Sequence, residues 1–334
     1  MLDRSMAGHS PWVDPDALRL AVYRFVLTPL EPMTLPEYKG AVLRGGFGIT
    51  FKRLVCSEPD PHACTPCRRR NACPYGYVFE TSPPENSQVL RTLSDVPTPF
   101  VLEPPLDRRT HYGPGDELEF RLVLVGRGID YLPYFFVVIE ELGRMGLGAD
   151  RARYRMERVE RVDPYSGERE TLFSGADGLL VTGGRCLSYA DVAAHAAGLA
   201  ADRMTLHFET PTRIKHQDRF VTQPEFQVLV RALLRRLSSL LYFHCIQLWQ
   251  PDFGQLIAEA KAVDLSVAQV DWVDWERYST RQRQHITLSG FVGQVAYTGH
   301  LELFRQLLAV GELIHVGKGT VFGLGRYRLQ PERC

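Results

Sequence analysis

Two clusters in this sequence have residue types and spacings that could do chemistry. Near the carboxyl end, the run GELIHVGKGTVFGLGRYRL sets Gly317, Gly319, Gly323 and Gly325 around Lys318. Glycine lets backbone N–H groups approach a phosphate closely and accepts positive φ, while Lys318, Arg326 and Arg328 add charge. From Lys318 to Arg328 there are three basic side chains and no acidic one. The pattern predicts a loop that holds nucleic-acid backbone, with a tight packing turn as the alternative. A nucleotide-hydrolysing P-loop is excluded. Five residues separate Gly311 from Gly317, Gly319 stands where a magnesium-binding Ser or Thr is required, and the order runs from helix to strand.

The second cluster is Cys56, Cys64, Cys67 and Cys73, separated by seven, two and five residues. A central C-x-x-C can grip one face of a tetrahedral ion while the outer pair closes it, a structural site with no open position. Zinc is expected; an iron–sulfur cluster and uncoordinated thiols are the alternatives. Metal binding would order a long loop and display Arg68, Arg69 and Arg70. Cys186, Cys245 and Cys334 have no partners at ligand spacing.

These clusters need elements to position them. Branched and aromatic residues predict a strand over 18–28, and a helix entered at Pro36 is expected to run to Leu54. Strands are expected at 75–80, 98–103, 117–126 and 153–162, with a buried helix over 131–143. GRMGLG, Gly143 to Gly148, follows a helix and precedes a strand, so it reads as a tight turn rather than a dinucleotide fingerprint. A similar order recurs: strand 202–210, helices 223–243 and near 254–261, strands 264–273 and 284–297, helix 300–310, strand 320–329. In the long helix, apolar positions form a core-facing stripe and Arg231, Arg235 and Arg236 a wet face. The fold class is therefore α+β, two tandem ferredoxin-like (RRM-like) domains with an inserted four-cysteine loop at 56–73. The first domain is set at 1–175, a linker at 176–200 and the second domain at 201–334.

The 334 residues carry 39 Lys plus Arg and 39 Asp plus Glu, so affinity for nucleic acid must come from local patches rather than net charge. One such patch, Arg44 to Cys73, has six basic side chains against two acidic ones. The amino-terminal MLDRSMAGHSPWVDPD lacks an apolar h-region, and no run of about 18 apolar residues occurs. A cytoplasmic chain with no membrane partner is expected, with thiols in a reducing compartment.

The run GFVGQVAYTGHLELFRQLLAVGELIHVGKGTVFGLGRYRL resembles the carboxyl-terminal signature of the RAMP (repeat-associated mysterious protein) superfamily. Within it, the likeness is to the CRISPR precursor-RNA processing endoribonucleases. LRGGFGITFKRLVC, CPYGYVFE, GRMGLGADRARYRMERVE and TPTRIKHQDRFVTQPEFQVLVRALLRRLSSLLYFHC agree with it. The resemblance spans about Leu18 to Leu329 and implies two ferredoxin-like domains. It further implies binding of CRISPR repeat RNA, one cut per repeat without a catalytic metal, and product that stays bound or passes to other CRISPR effector subunits. It places RNA backbone against the Gly317–Gly325 loop and against Thr212, Arg213 and Lys215.

Metal-free cleavage of this kind uses the 2′-hydroxyl beside the scissile phosphate and leaves a 2′,3′-cyclic phosphate. It needs a base, an acid for the leaving 5′-oxygen and a cation for the phosphate. Relatives commonly read Gly-His where this chain has Gly48-Ile49, and no histidine lies between His9 and His62. Tyr38, Arg44, Lys52 and His216 are the candidate catalytic groups. His315, beside the glycine loop, is expected either to touch RNA or to support the loop. Two readings stay open: other groups supply acid and base, or the chain binds RNA as a non-catalytic subunit of a CRISPR ribonucleoprotein.

Overall fold

The computed structural model describes residues 13–14, 16–57, 64, 67–70, 72–81, 83, 96–279 and 284–330. The leaderless reading of the amino terminus falls on residues outside these. The first half runs β1 (Arg19–Pro29), α1 (Gly40–Val55), α2 (Pro74–Phe79), β2 (Phe100–Glu103), β3 (Leu118–Val125), α3 (Leu132–Met145), β4 (Tyr154–Val162) and β5 (Arg169–Ser174). Its main sheet has the order β2-β3-β1-β4-β5, every pairing antiparallel.

The second half continues with α4 (Tyr189–Ala196), β6 (Arg203–Thr212), α5 (Phe226–His244), α6 (Phe253–Lys261), β7 (Asp264–Val273), β8 (Gly290–Thr298), α7 (Arg305–Ile314) and β9 (Tyr327–Gln330). Its sheet order is β7-β8-β6-β9. In each half, the first strand lies between the third and the fourth, with the second outside the third. That is the ferredoxin-like order expected from the sequence.

β1 shows why the halves pack as they do. Ten of its eleven residues are buried or half-buried, so both faces of the pleat are covered. Tyr23, Phe25 and Leu27 pack with Phe47 and Phe51 of α1 and Phe135 and Val138 of α3. Leu20 and Val22, with Val123 and Val125 of β3, join the core built on Leu229, Leu233, Leu237 and Leu241 of α5. The domains thus share apolar core, each large side chain contributing roughly 1.5–3 kcal/mol.

Three expectations change. Residues 74–79 form α2, not a strand: Pro74 opens the helix, and a Cβ on Gly76 would overlap the Arg70 carbonyl oxygen. The 176–200 segment is more than a linker, since Leu187–Ser188 pairs with β1 and α4 packs on α7. The expected 320–329 strand begins only at Tyr327, after a single 3₁₀ turn. GRMGLG is a turn, with Gly146 at φ 88° and Gly148 at φ 81°. Among the described residues, no helix is long and apolar enough to cross a membrane.

Candidate nucleic-acid interface

The glycine-rich loop is shaped by what lies under it. α7 buries Leu307, Leu308, Val310 and Leu313 and ends at His315, whose φ is +60°. Gly317, at φ +85°, lies against the Arg213 carbonyl oxygen, which a Cβ would meet at 2.5 Å. Only glycine fits such a position without displacing backbone. The loop closes through Val316 N–H to the Gly325 carbonyl at 3.0 Å and Lys318 N–H to the Arg213 carbonyl at 3.0 Å. The Lys318 side chain is exposed.

Three consecutive loop carbonyls point inward, and each meets a side-chain donor. Tyr38 of the first domain donates its hydroxyl to the Phe322 carbonyl. Thr210 of β6 donates to the Gly323 carbonyl at 2.8 Å, and His315 Nδ1 donates to the Leu324 carbonyl at 3.1 Å. Thr210 also accepts the Arg326 N–H at 2.9 Å.

Beneath this lies a buried ionic cluster joining the domains. His315 Nε2 stands 3.0 Å from Glu103 Oε1 at the end of β2. Glu103 Oε2 faces Arg121 at 3.5 Å and Arg326 at 3.8 Å, and Arg326 also pairs with Glu209 at 2.6 Å. Burial works against the Glu103 charge, yet the hydrogen bond from His315 and the two guanidiniums hold its carboxyl well below the usual carboxylate range. Burial lowers the His315 pKa, although Glu103 opposes it. A backbone carbonyl stands at one ring nitrogen and the ionised Glu103 at the other, so both nitrogens are engaged.

α1 lies against the same loop. A Cβ on Gly40 would overlap the Phe322 carbonyl oxygen. The Arg44 guanidinium lies over the Phe322 ring at 5.4 Å and the Phe79 ring at 4.9 Å. Gly48 leaves it room, since a Cβ there would come within 3.0 Å of the guanidinium. Lys52 lies eight residues, about 12 Å, further along the helix. Its ammonium sits 5.3 Å from the Tyr75 ring centre. Ile49 is 56% exposed.

The structure therefore sorts the expected site residues. Arg44 and Tyr38 meet the loop; Tyr38 is half-buried, and desolvation pushes its loop-bound hydroxyl well above the ordinary phenol range. That hydroxyl is engaged by the Phe322 carbonyl, so Tyr38 supports the loop in this structure. His315 is wholly buried with both nitrogens engaged, which accords with loop support, one of the two roles expected of it. Thr212 is buried as well, its hydroxyl donating to the Thr210 carbonyl at 3.0 Å. Gly323 and Gly325 are buried, leaving Gly317, Lys318 and Gly319 as the outer arc. Arg326 and Arg328 are half-buried around Glu209.

Arg213 stacks its guanidinium 4.6 Å over Phe220 on the Lys215–Phe220 hairpin. There Lys215 pairs with Asp218 at 2.8 Å, and half-buried His216 stands opposite Arg219. This hairpin adjoins Lys318 through the Arg213 carbonyl, whereas Lys52 lies at the far end of α1 beside α2. Sequence reading missed Glu103, Thr210 and Trp275, whose ring lies 4.0 Å from that of Tyr38. No local pattern marks them, because each acts on residues distant in sequence.

The cysteines flank helix ends: Cys56 caps α1 and Cys73 precedes α2. The C-x-x-C closes as a turn, Cys67 N–H donating to the Cys64 carbonyl at 3.1 Å. Four thiols have the chemistry of a zinc site, but among the described residues no three potential ligands are gathered closely enough to hold an ion.

Comparison with known proteins places this architecture. Residues 206–327 match the model of the CRISPR-associated endoribonuclease Cas6, and residues 18–183 match an N-terminal domain model. Over residues 206–327 the chain thus carries a domain of the CRISPR-associated endoribonuclease type, and the whole chain shares the fold of Cas6 structures. A protein of Archaeoglobus fulgidus is 26% identical over 303 residues, spanning 89% of this chain and 93% of that one. A Cas6 product complex shares the fold at TM-score 0.56 and 15% identity, over 93% of this chain and 100% of that one. Thermus thermophilus Cas6 does so at 0.53 and 15%, over 94% and 99%. A chain of a partial Cas6-RT-Cas1–Cas2 complex matches at 0.56 and 12%, over 95% of this chain and 46% of that one.

Proposed function

We propose that this chain binds CRISPR repeat RNA and cuts precursor transcript into guide units by metal-independent attack of a 2′-hydroxyl. The observation that carries the reading is the seam where the Gly317–Gly325 loop meets Arg44 of α1. Family members are endoribonucleases, and here a backbone-gripping loop with exposed Lys318 borders a cationic helix. In the reaction the 2′-oxygen bonds to phosphorus as the bond from phosphorus to the 5′-oxygen breaks. The hydroxyl proton goes to a base, and the departing 5′-oxygen takes a proton from an acid or solvent. Arg44 offsets charge on the phosphate, Lys52 extends the cationic face, and His216 stands on the hairpin that follows Arg213. Holding the 2′-oxygen in line contributes even with weak acid–base assistance.

The exposed Ile49 on α1 favours one second reading, an RNA-binding subunit that does not cut. Other CRISPR subunits are proposed partners, since one similar chain occurs in a complex with RT, Cas1 and Cas2. A structural zinc on Cys56, Cys64, Cys67 and Cys73 remains part of the proposal, requiring these thiols to draw together.

The test uses purified chain, its zinc content measured first, and labelled repeat RNA in EDTA beside a copy with one 2′-deoxy group at the cut. Cleavage of the all-ribose RNA alone, ending in a cyclic phosphate, is expected. Salt-sensitive binding without cleavage selects the second reading, and no salt-sensitive binding overturns both.

A further inference from the structure

The feature that carries furthest is the set of donors under the glycine loop. Phe322, Gly323 and Leu324 present their carbonyls to Tyr38, Thr210 and His315 in turn. Tyr38 belongs to the first domain, and His315 is itself held by first-domain Glu103. Among the described residues, the loop's outer arc, Gly317 to Gly319, has no such clamp from the first domain and is tied to Arg213. Its presentation therefore depends on the inner arc staying seated.

We infer that His315 is a positioning residue for RNA binding, coupling Glu103 of the first domain to the backbone of the RNA-gripping loop of the second. This rests on the proposed reading that the loop grips RNA. The chemistry supports a dedicated role. A histidine at the end of an apolar helix is costly to bury unless both nitrogens are satisfied. Here one nitrogen takes a loop carbonyl and the other a carboxylate that the guanidiniums of Arg121 and Arg326 also face. Losing either link leaves a buried polar atom without its partner, and the local remedy is for the loop to lift toward water. A lifted loop still carries Lys318 but offers it from a dispersed set of positions, so affinity falls before chemistry does.

The experiment measures repeat-RNA affinity and single-turnover cleavage at saturating protein in the full chain. Variants are His315→Ala, His315→Asn, Glu103→Gln and Lys318→Ala, with the double variant His315→Ala/Lys318→Ala. All are compared at a temperature where circular dichroism shows them folded. Asn places its amide near the Nδ1 position and tolerates positive φ, so it keeps the Leu324 bond and loses Glu103.

His315→Ala is expected to weaken affinity about tenfold, the size of a lost buried hydrogen bond, with the saturated rate unchanged. His315→Asn should recover part of that loss, and Glu103→Gln should cause a smaller one. The double variant should bind little worse than the weaker single variant, because a loop already displaced gains little from Lys318. Multiplying effects in the double variant, or full affinity in both His315→Asn and Glu103→Gln, would overturn the inference. If Lys318→Ala alone leaves affinity intact, the loop reading itself fails instead. Should His315→Ala not fold, His315→Asn and its pairing with Lys318→Ala decide the same question.

Discussion

At the scale of single residues, buried histidines in this protein are structural, and one gives a clean pH signature. His244 donates Nε2–H to the Pro97 carbonyl at 2.7 Å, and its Nδ1 accepts from Tyr77 at 3.1 Å. That arrangement suits the neutral ring, and burial lowers its pKa to about 4. The unfolded histidine titrates at about 6.5, so between these values the unfolded chain binds more protons. Stability from this group is full above about pH 6.5 and is lost as pH falls toward 4, about 3 kcal/mol in total. Urea unfolding across that window should show a shallower acid slope for His244→Gln than for the parent. Equal slopes would remove the assignment. Such partners could not be read from sequence: His244 and Pro97 are 147 positions apart. Lys318 was legible because glycines announce a loop and loops face water. His315, three positions away, looked alike in sequence and is buried.

At the scale of elements, helix α1 and the loop touch backbone to backbone. Gly40 faces the Phe322 carbonyl so closely that a methyl group cannot fit without moving one of them. Gly40→Ala should therefore lower unfolding free energy by about 1–3 kcal/mol, the range for overpacking. It should weaken repeat-RNA binding as well, read by denaturant titration and filter binding. Retained stability would mean that the seam yields easily. The long elements were legible: β1, α3, α5 and β7 lie within three residues of the periodicity reading at each end. α2 was not, because aromatic PYGYVF carries strand composition while its helix is set by Pro74 and by Gly76 against Arg70. The four-cysteine loop was legible as spacing only, since thiol geometry depends on how the flanking helices are placed.

At the scale of the whole molecule, the tandem order was readable from element sequence alone, without any internal repeat. The manner of joining was not. Residues expected to link the halves instead supply a strand to the first sheet and a helix to the second domain's α7. Apolar residues of β1 and β3 share a core with α5. Protease nicking in the exposed 176–184 stretch should therefore leave the two fragments together as one particle on gel filtration. Separation after nicking would show that the shared core is too weak to hold them. Branched and aromatic residues on β1 predicted a strand, but burial on both faces was not deducible, because it depends on a partner surface formed from sequence about 200 positions later.

The inward carbonyls also set an order of events during synthesis. The Tyr38 bond spans 284 positions and the Glu103 bond 212, so both close only after nearly all of the chain has left the ribosome. Contacts of such separation form slowly, whereas the five main strands of the first sheet, β1 to β5, lie within the first 174 residues and can pair early. An incomplete chain can thus own a folded amino-terminal half and still have no seated loop. The seated loop arrives last, so on the proposed reading RNA binding would be a property of the finished chain and not of its amino-terminal half.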